Sequence, residues 1–207
     1  SIEQIQWGYQ RFNFVSFPTI RALQASRISP KNSAKGLSFL GIGDPALGAS
    51  KASFRGISVS KKLNIDLSTY YLRGLSSLPK TRSEIEAISQ AFDPPPSSKL
   101  LLGTEATETA FRSLNVSKYR TIAFATHGLV ANEIPGINEP ALVLSPEVPF
   151  SSLSNGVLTA SEIATLDLRA DLVILSACNS KGDSRMESDG ISGLSTAFLM
   201  AGVKSLM

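Results

Sequence analysis

The chain carries one cysteine and one histidine among 207 residues, Cys178 and His127, 51 positions apart. Each follows a short apolar run. Thr121-Ile122-Ala123-Phe124-Ala125-Thr126 leads into His127-Gly128, and Leu172-Val173-Ile174-Leu175-Ser176-Ala177 leads into Cys178. A thiol becomes a nucleophile as its thiolate, and an adjacent imidazole can take its proton. The same imidazole can then protonate a leaving amine. The backbone N–H groups of Gly128 and Cys178, in tight turns, are suited to hold an oxyanion. Taken singly, a lone Cys after a buried strand is more often a small core hydrophobe, and a lone His is more often a surface or satisfied core residue. Both reactive types stand at the end of an apolar run and enter a turn of small residues, and that coincidence favours a catalytic pair.

Counts narrow the alternatives. One Cys cannot form an internal disulfide, which fits a reducing, cytoplasmic setting. Zinc sites built on several Cys and His are excluded by number, and no metal or cofactor is expected. The net charge of +3 comes from scattered Lys and Arg without a block of like charge, so no nucleic-acid partner is expected. No apolar run has the length of a membrane span, and the N-terminus lacks the layout of a signal peptide. Hydrophobic residues at 43% and charged residues at 18% are enough for a buried core in one domain. Residues 1–207 therefore read as a single domain core. The absence of a starting Met and the stop within an apolar segment suggest a fragment of a longer chain.

The elements that must position the pair can be placed by pattern. Residues 5–17 hold Trp7, Tyr9, Phe12, Phe14 and Phe17 and read in part as a strand; Pro18 opens a short helix to about Gln24. Leu37 to Gly43 reads as a buried strand ending at Asp44-Pro45. Thr81 and Glu84 fit a capping box for a helix that Pro94-Pro95-Pro96 stops. Lys99 to Gly103 is a strand, and Thr104 caps a helix to about Leu114. Ala141–Leu144 and Gly156–Leu158 form a small paired excursion, and Thr159 and Glu162 make a second capping box. Lys181 to Ser188 reads as a polar loop, with Ser188 or Asp189 capping a helix that ends near Gly202; a last strand begins at Val203. Alternating strands and helices imply an α/β fold, with a mainly parallel twisted sheet flanked by helices on both faces.

These stretches resemble the CHAT family, caspase-like cysteine peptidases often found beside tetratricopeptide repeats. The resemblance rests on Phe124-Ala125-Thr126-His127-Gly128 and on Leu172 through Cys178, supported by Gly43-Asp44-Pro45, Leu78 through Arg82, Gly103 through Thr107, Gly156 through Ile163 and Gly190 through Leu194. Caspases also place their His about 50 residues before the Cys. The resemblance implies a caspase–haemoglobinase-like fold, with His127 as catalytic base, Cys178 as nucleophile and Gly128 as an oxyanion donor. It further implies a protein or peptide substrate, and repeat modules upstream or a regulatory partner. The family pattern normally continues past the last strand with a Trp-containing segment, whereas this sequence stops at Met207, and its upstream half reads as shortened.

Candidate substrate contacts are Ser176, Asp44, Asp183 and Asp189. Blander readings compete: Asp44 as a loop-stabilising residue before Pro45, and Asp189 as a helix cap. Ser176, two positions before the nucleophile, carries no charge, so a simple preference for a basic substrate side chain is not expected. The leading function is an endopeptidase acting through an acyl-enzyme. The alternative is a catalytically silent scaffold that binds a partner protein. A nucleotide-binding domain is weaker, since Gly41-Ile42-Gly43 lacks the remaining glycine of a dinucleotide motif and no phosphate-cradling Lys–Ser/Thr loop occurs.

Overall fold

The computed structural model describes residues 39–48, 71–92, 98–147, 154–177 and 184–207. In chain order the elements are β1 (Phe39–Pro45), α1 (Pro79–Phe92), β2 (Ser98–Gly103), α2 (Glu108–Ser113), a 3₁₀ turn (Val116–Lys118), β3 (Thr121–Ala125), β4 (Gly128–Leu129), β5 (Ala141–Val143), β6 (Val157–Thr159), α3 (Ala160–Ala164), β7 (Leu172–Ser176) and α4 (Ser184–Met200). The apolar runs pair in parallel as one sheet in the order β2-β1-β3-β7. All five residues of β3 are buried, as a strand covered on both faces requires.

Side-chain alternation divides the core between the two faces. Leu40, Ile42, Ile122, Phe124 and Val173 point to the main core, where Phe124 packs between Phe111 of α2 and Phe198 of α4 with ring centroids 5.8 and 5.6 Å away. Phe39, Ala123 and Ala125 point the other way, onto Ile85 of α1. Gly41 lets α1 approach, since a Cβ there would overlap Ile85 Cγ2. The expected α/β layering with helices on both faces is therefore the observed one.

A second, antiparallel sheet in the order β4-β5-β6 follows β3. Its small core of Leu129, Ile134, Ile137, Ala141, Val143 and Val157 also takes in Leu47, just after β1, and Leu72. The expected excursion at 141–144 and 156–158 is this sheet. The capping box at Thr159 is present: Thr159 N–H donates to Glu162 Oε2 (2.9 Å), and Glu162 N–H to Thr159 Oγ1 (3.3 Å).

Four local expectations are corrected. The helix expected to be capped at Thr81 begins at Pro79, whose fixed φ and missing N–H suit a first helical position. Thr81 then sits inside the first turn, where its hydroxyl donates to Leu78 O (2.6 Å) and accepts Asp44 N–H (2.8 Å). The cap of α2 is Thr107, accepting Ala110 N–H at 3.1 Å, not Thr104, because Gly103 at φ 60° first turns the chain through Glu105 and Ala106. Helix α4 begins at Ser184, so residues 184–188 are helical and Asp189 lies inside the helix, not at its cap. The final strand pairing begins at Ser205, not at Val203. Val203 is taken by the helix end: its N–H donates to Phe198 O (3.1 Å) beside Gly202 at φ 100°, the double turn that a glycine stop produces. Beyond it, Val173 N–H donates to Ser205 O and Met207 N–H to Val173 O, both at 2.9 Å, extending the sheet past β7. The aromatic segment at 5–17 and the helix expected from Pro18 lie outside the described residues.

Candidate active site

Strand β3 belongs to the parallel sheet and β4 to the antiparallel one. Thr126 and His127 are the two residues between them, so the chain changes sheets at the candidate base. The corner is held from both sides. Thr126 N–H donates to Ser176 O at the end of β7 (3.2 Å), and Val143 N–H in β5 donates to His127 O (2.9 Å). The Thr126 hydroxyl donates to Val143 O.

The His127 ring is buried, with 5% exposure. Its Nε2 lies 2.8 Å from the carbonyl oxygen of Ser76. A carbonyl only accepts, so Nε2 is the donor in this contact, and Nδ1 is the ring nitrogen left for a second partner. Ser76 follows a turn closed by Gly74 N–H to Tyr71 O (3.0 Å) and Leu75 N–H to Leu72 O (3.2 Å), and that turn is anchored by the buried Leu72 in the small core.

The strand that leads to Cys178 is the immediate neighbour of the strand that leads to His127. Ala125 pairs with Ser176, and a Cβ placed on Gly128 would lie 3.5 Å from Ala177 Cβ and 3.6 Å from Ala177 O. The His127-Gly128 turn thus faces the residue joined to Cys178. Cys178 and Asp183 themselves lie outside the described residues. Ser176 is half-buried on this rim. Asp44 stands at the end of β1 with φ 49°, and its Oδ2 is 2.9 Å from Arg82 Nε of α1, so its carboxylate is engaged with that helix. Asp189 falls within α4.

Two further residues brace the rim. Ser145 Oγ donates to Gly103 O (2.7 Å) and accepts Ala46 N–H (2.8 Å), tying the carboxyl ends of β1 and β2 to the exit of β5. Glu108 is 1% exposed, and its Oε2 accepts the N–H groups of Asn155 (2.8 Å), Gly156 (3.0 Å) and Val157 (3.3 Å) at the head of β6. Burial, then the negative charge of Glu162, pushes the Glu108 carboxyl above the usual range, against the opposing pull of Arg112 and the Gly156 N–H. The Arg112 Nη2 bridges Glu108 Oε1 (3.3 Å) and Glu162 Oε1 (2.9 Å).

Sequence reasoning missed Ser76, Thr126, Ser145 and Glu108. Ser76 acts through its main chain, which no side-chain type betrays. Thr126 had a weak signal, a hydroxyl beside the His.

Among the described residues, no cluster of three His, Cys, Asp or Glu side chains could hold a metal ion, and no helix is long and apolar enough to cross a membrane. A search of curated proteins found no match. Residues 3–207 match the CHAT domain family. The parallel sheet with helices on both faces agrees with the caspase-like architecture of that family. With a match over nearly its full length, the chain belongs to the CHAT domain family.

Proposed function

We propose that the chain is a cysteine endopeptidase in which His127 activates Cys178 for attack on a peptide carbonyl. The observation that carries this reading is the corner at His127-Gly128, packed against Ala177, with the imidazole proton committed to Ser76 O and Nδ1 left as the basic nitrogen. Proton transfer from Cys178 Sγ to Nδ1 gives the thiolate, which adds to the carbonyl carbon. The N–H groups of Gly128 and Cys178 are the donors for the resulting oxyanion. Collapse returns the Nδ1 proton to the leaving amine and leaves a thioester. Water, deprotonated at Nδ1, hydrolyses the thioester and regenerates the thiol.

The substrate is a protein or peptide lying across the carboxyl ends of β3 and β7. Ser176 offers a hydroxyl and no charge to the substrate side chain; Asp183 and Asp189 follow the nucleophile in sequence and are candidate contacts. Asp44 would have to leave Arg82 to take part. In this reading the chain works in the cytoplasm as one peptidase core, without a cofactor, and is controlled by upstream repeats or a regulatory partner.

The 5% exposure of His127 favours a second reading, a silent scaffold that binds a partner protein. A thiol-directed peptide probe separates the two. Covalent labelling and peptide cleavage that both disappear in Cys178→Ala, and fall to near background in His127→Ala with each variant folded by circular dichroism, support the peptidase. Cleavage that survives in folded Cys178→Ala refutes it, and a folded wild type without labelling or cleavage favours the scaffold.

A further inference from the structure

We propose that Thr126 is a positioning residue for the His127 imidazole, acting through a two-point clamp on Val143; its catalytic consequence rests on the peptidase reading above. The chain leaves one sheet at Ala125 and enters the other at Gly128, so the two residues between belong to neither strand. Three hydrogen bonds hold them, two made by Thr126 and one accepted by the His127 carbonyl. Thr126 N–H reaches Ser176 O at 3.2 Å, the Thr126 hydroxyl reaches Val143 O, and His127 O receives Val143 N–H at 2.9 Å. The end of β7 and the second sheet are therefore both bound by Thr126, through its N–H and its hydroxyl respectively, and the residue is only 2% exposed.

The geometry explains why a hydroxyl is needed. A single bond from Val143 N–H would let the His127 peptide pivot about that bond. The second bond, from Oγ1 to the carbonyl of the same Val143, removes the pivot and fixes the direction in which the His127 Cα–Cβ bond leaves the corner. That direction determines whether Nε2 meets Ser76 O, and so whether Nδ1 is turned toward the nucleophile strand. A small rotation at the main chain is magnified at the ring, and misplacement by about 1 Å can lower a rate by roughly a hundredfold. Thr126 touches no substrate in this scheme; it works through His127.

The single histidine allows a test that does not depend on activity. In an imidazole-selective nitrogen–proton spectrum of the chain, one ring gives every signal. The Nε2 proton, bonded to Ser76 O, should exchange slowly with solvent. In Thr126→Val, which replaces the hydroxyl by a methyl of similar size, its exchange should accelerate by about tenfold or more, while Thr126→Ser stays within about threefold of wild type. Where wild type cleaves peptide, kcat of Thr126→Val should fall by about tenfold or more with KM changed less than about twofold, and Thr126→Ser should restore most of it. Thr126→Ala serves if the Val variant does not fold.

An unchanged imidazole proton, an unchanged kcat, or a Ser variant as damaged as the Val variant overturns the proposal. So does loss of the fold in both Val and Ala variants while Ser folds, since the hydroxyl is then only a structural staple. A folded wild type that cleaves nothing, yet shows the expected change in proton exchange, refutes the peptidase reading and leaves the clamp standing.

Discussion

Replacing Glu108 by Ala should destabilise the protein more than its distance from the His127 corner suggests. Its carboxylate accepts three main-chain N–H groups at the head of β6. These are not equivalent. Val157 N–H has a second acceptor, Asn155 Oδ1 at 2.8 Å, and Asn155 is only half-buried. Gly156 N–H is buried and loses its acceptor. An orphaned buried donor costs about 1–3 kcal/mol, and the truncated side chain adds a cavity of a few methylenes. Part of this is offset, because the carboxylate is itself held in an unfavourable, desolvated position. The balance is a loss of about 2–4 kcal/mol, which for a chain of this size lowers Tm by about 4–16 °C. Glu108→Gln keeps an acceptor for Gly156 N–H and should cost less than half as much.

The pH dependence tests the reasoning independently. The folded carboxyl titrates above the ordinary glutamate value, so between that value and its raised one the folded state binds more protons than the unfolded chain. Its contribution therefore falls as pH rises from about 4.3 through the raised value, and Glu108→Gln should lack that component. Urea unfolding of wild type and both variants across pH 4–8 measures both effects. Glu108→Ala within about 0.5 kcal/mol of wild type, or a Gln variant with the wild-type slope, would refute the account. The effect should also reach the corner, since Val157 pairs with Val143, which holds Thr126 and His127.

Two further outcomes follow from the sheet. Asp171 joins Arg120, before β3, and Lys204, before the last strand, with contacts of 2.7 and 2.6 Å. Partial burial pushes its carboxyl up, but the bonds and charges of Lys204 and Arg120 outweigh this and hold it below the usual range. Asp171→Asn should cost about 0.5–1 kcal/mol at neutral pH, these groups being partly exposed, and the difference from wild type should close as pH falls below about 4, measured by denaturant titration. Gly41→Ala should cost about 1–3 kcal/mol or prevent folding, because its Cβ would collide with Ile85 and lie 2.8 Å from Phe39 Cε1; thermal melts unchanged within about 1 °C would show that α1 moves away freely.

Much of this protein was legible from local chemistry. The apolar runs before His127 and Cys178 were legible as strands because each holds four consecutive apolar residues, Ile122–Ala125 and Leu172–Leu175, and such short runs suit adjacent strands of a parallel sheet packed under helices. The capping box at Thr159 was readable because both of its partners lie within one turn of the chain. The motifs around His127 and Cys178 also carried the family, which the match over residues 3–207 bears out.

Local signals misled where a distant partner competed for the same group. Thr81 had the right neighbour for a cap, but its hydroxyl is taken by Asp44 N–H, which is remote in sequence. Thr104 lost its capping role to Thr107 once Gly103 turned the chain. Tertiary structure alone decided which groups surround His127. A carbonyl is the same at every residue, so nothing in the residue types marks Ser76 as the acceptor for His127 Nε2. Likewise Val143 is an ordinary strand residue until the second sheet folds back beside the corner and presents its N–H and C=O to His127 and Thr126. The sequence by itself determined which residue types stand at the strand ends, because hydrophobic period and turn chemistry are local. Tertiary structure decided how the histidine is aimed, because that direction depends on main-chain hydrogen bonds between segments far apart in the chain.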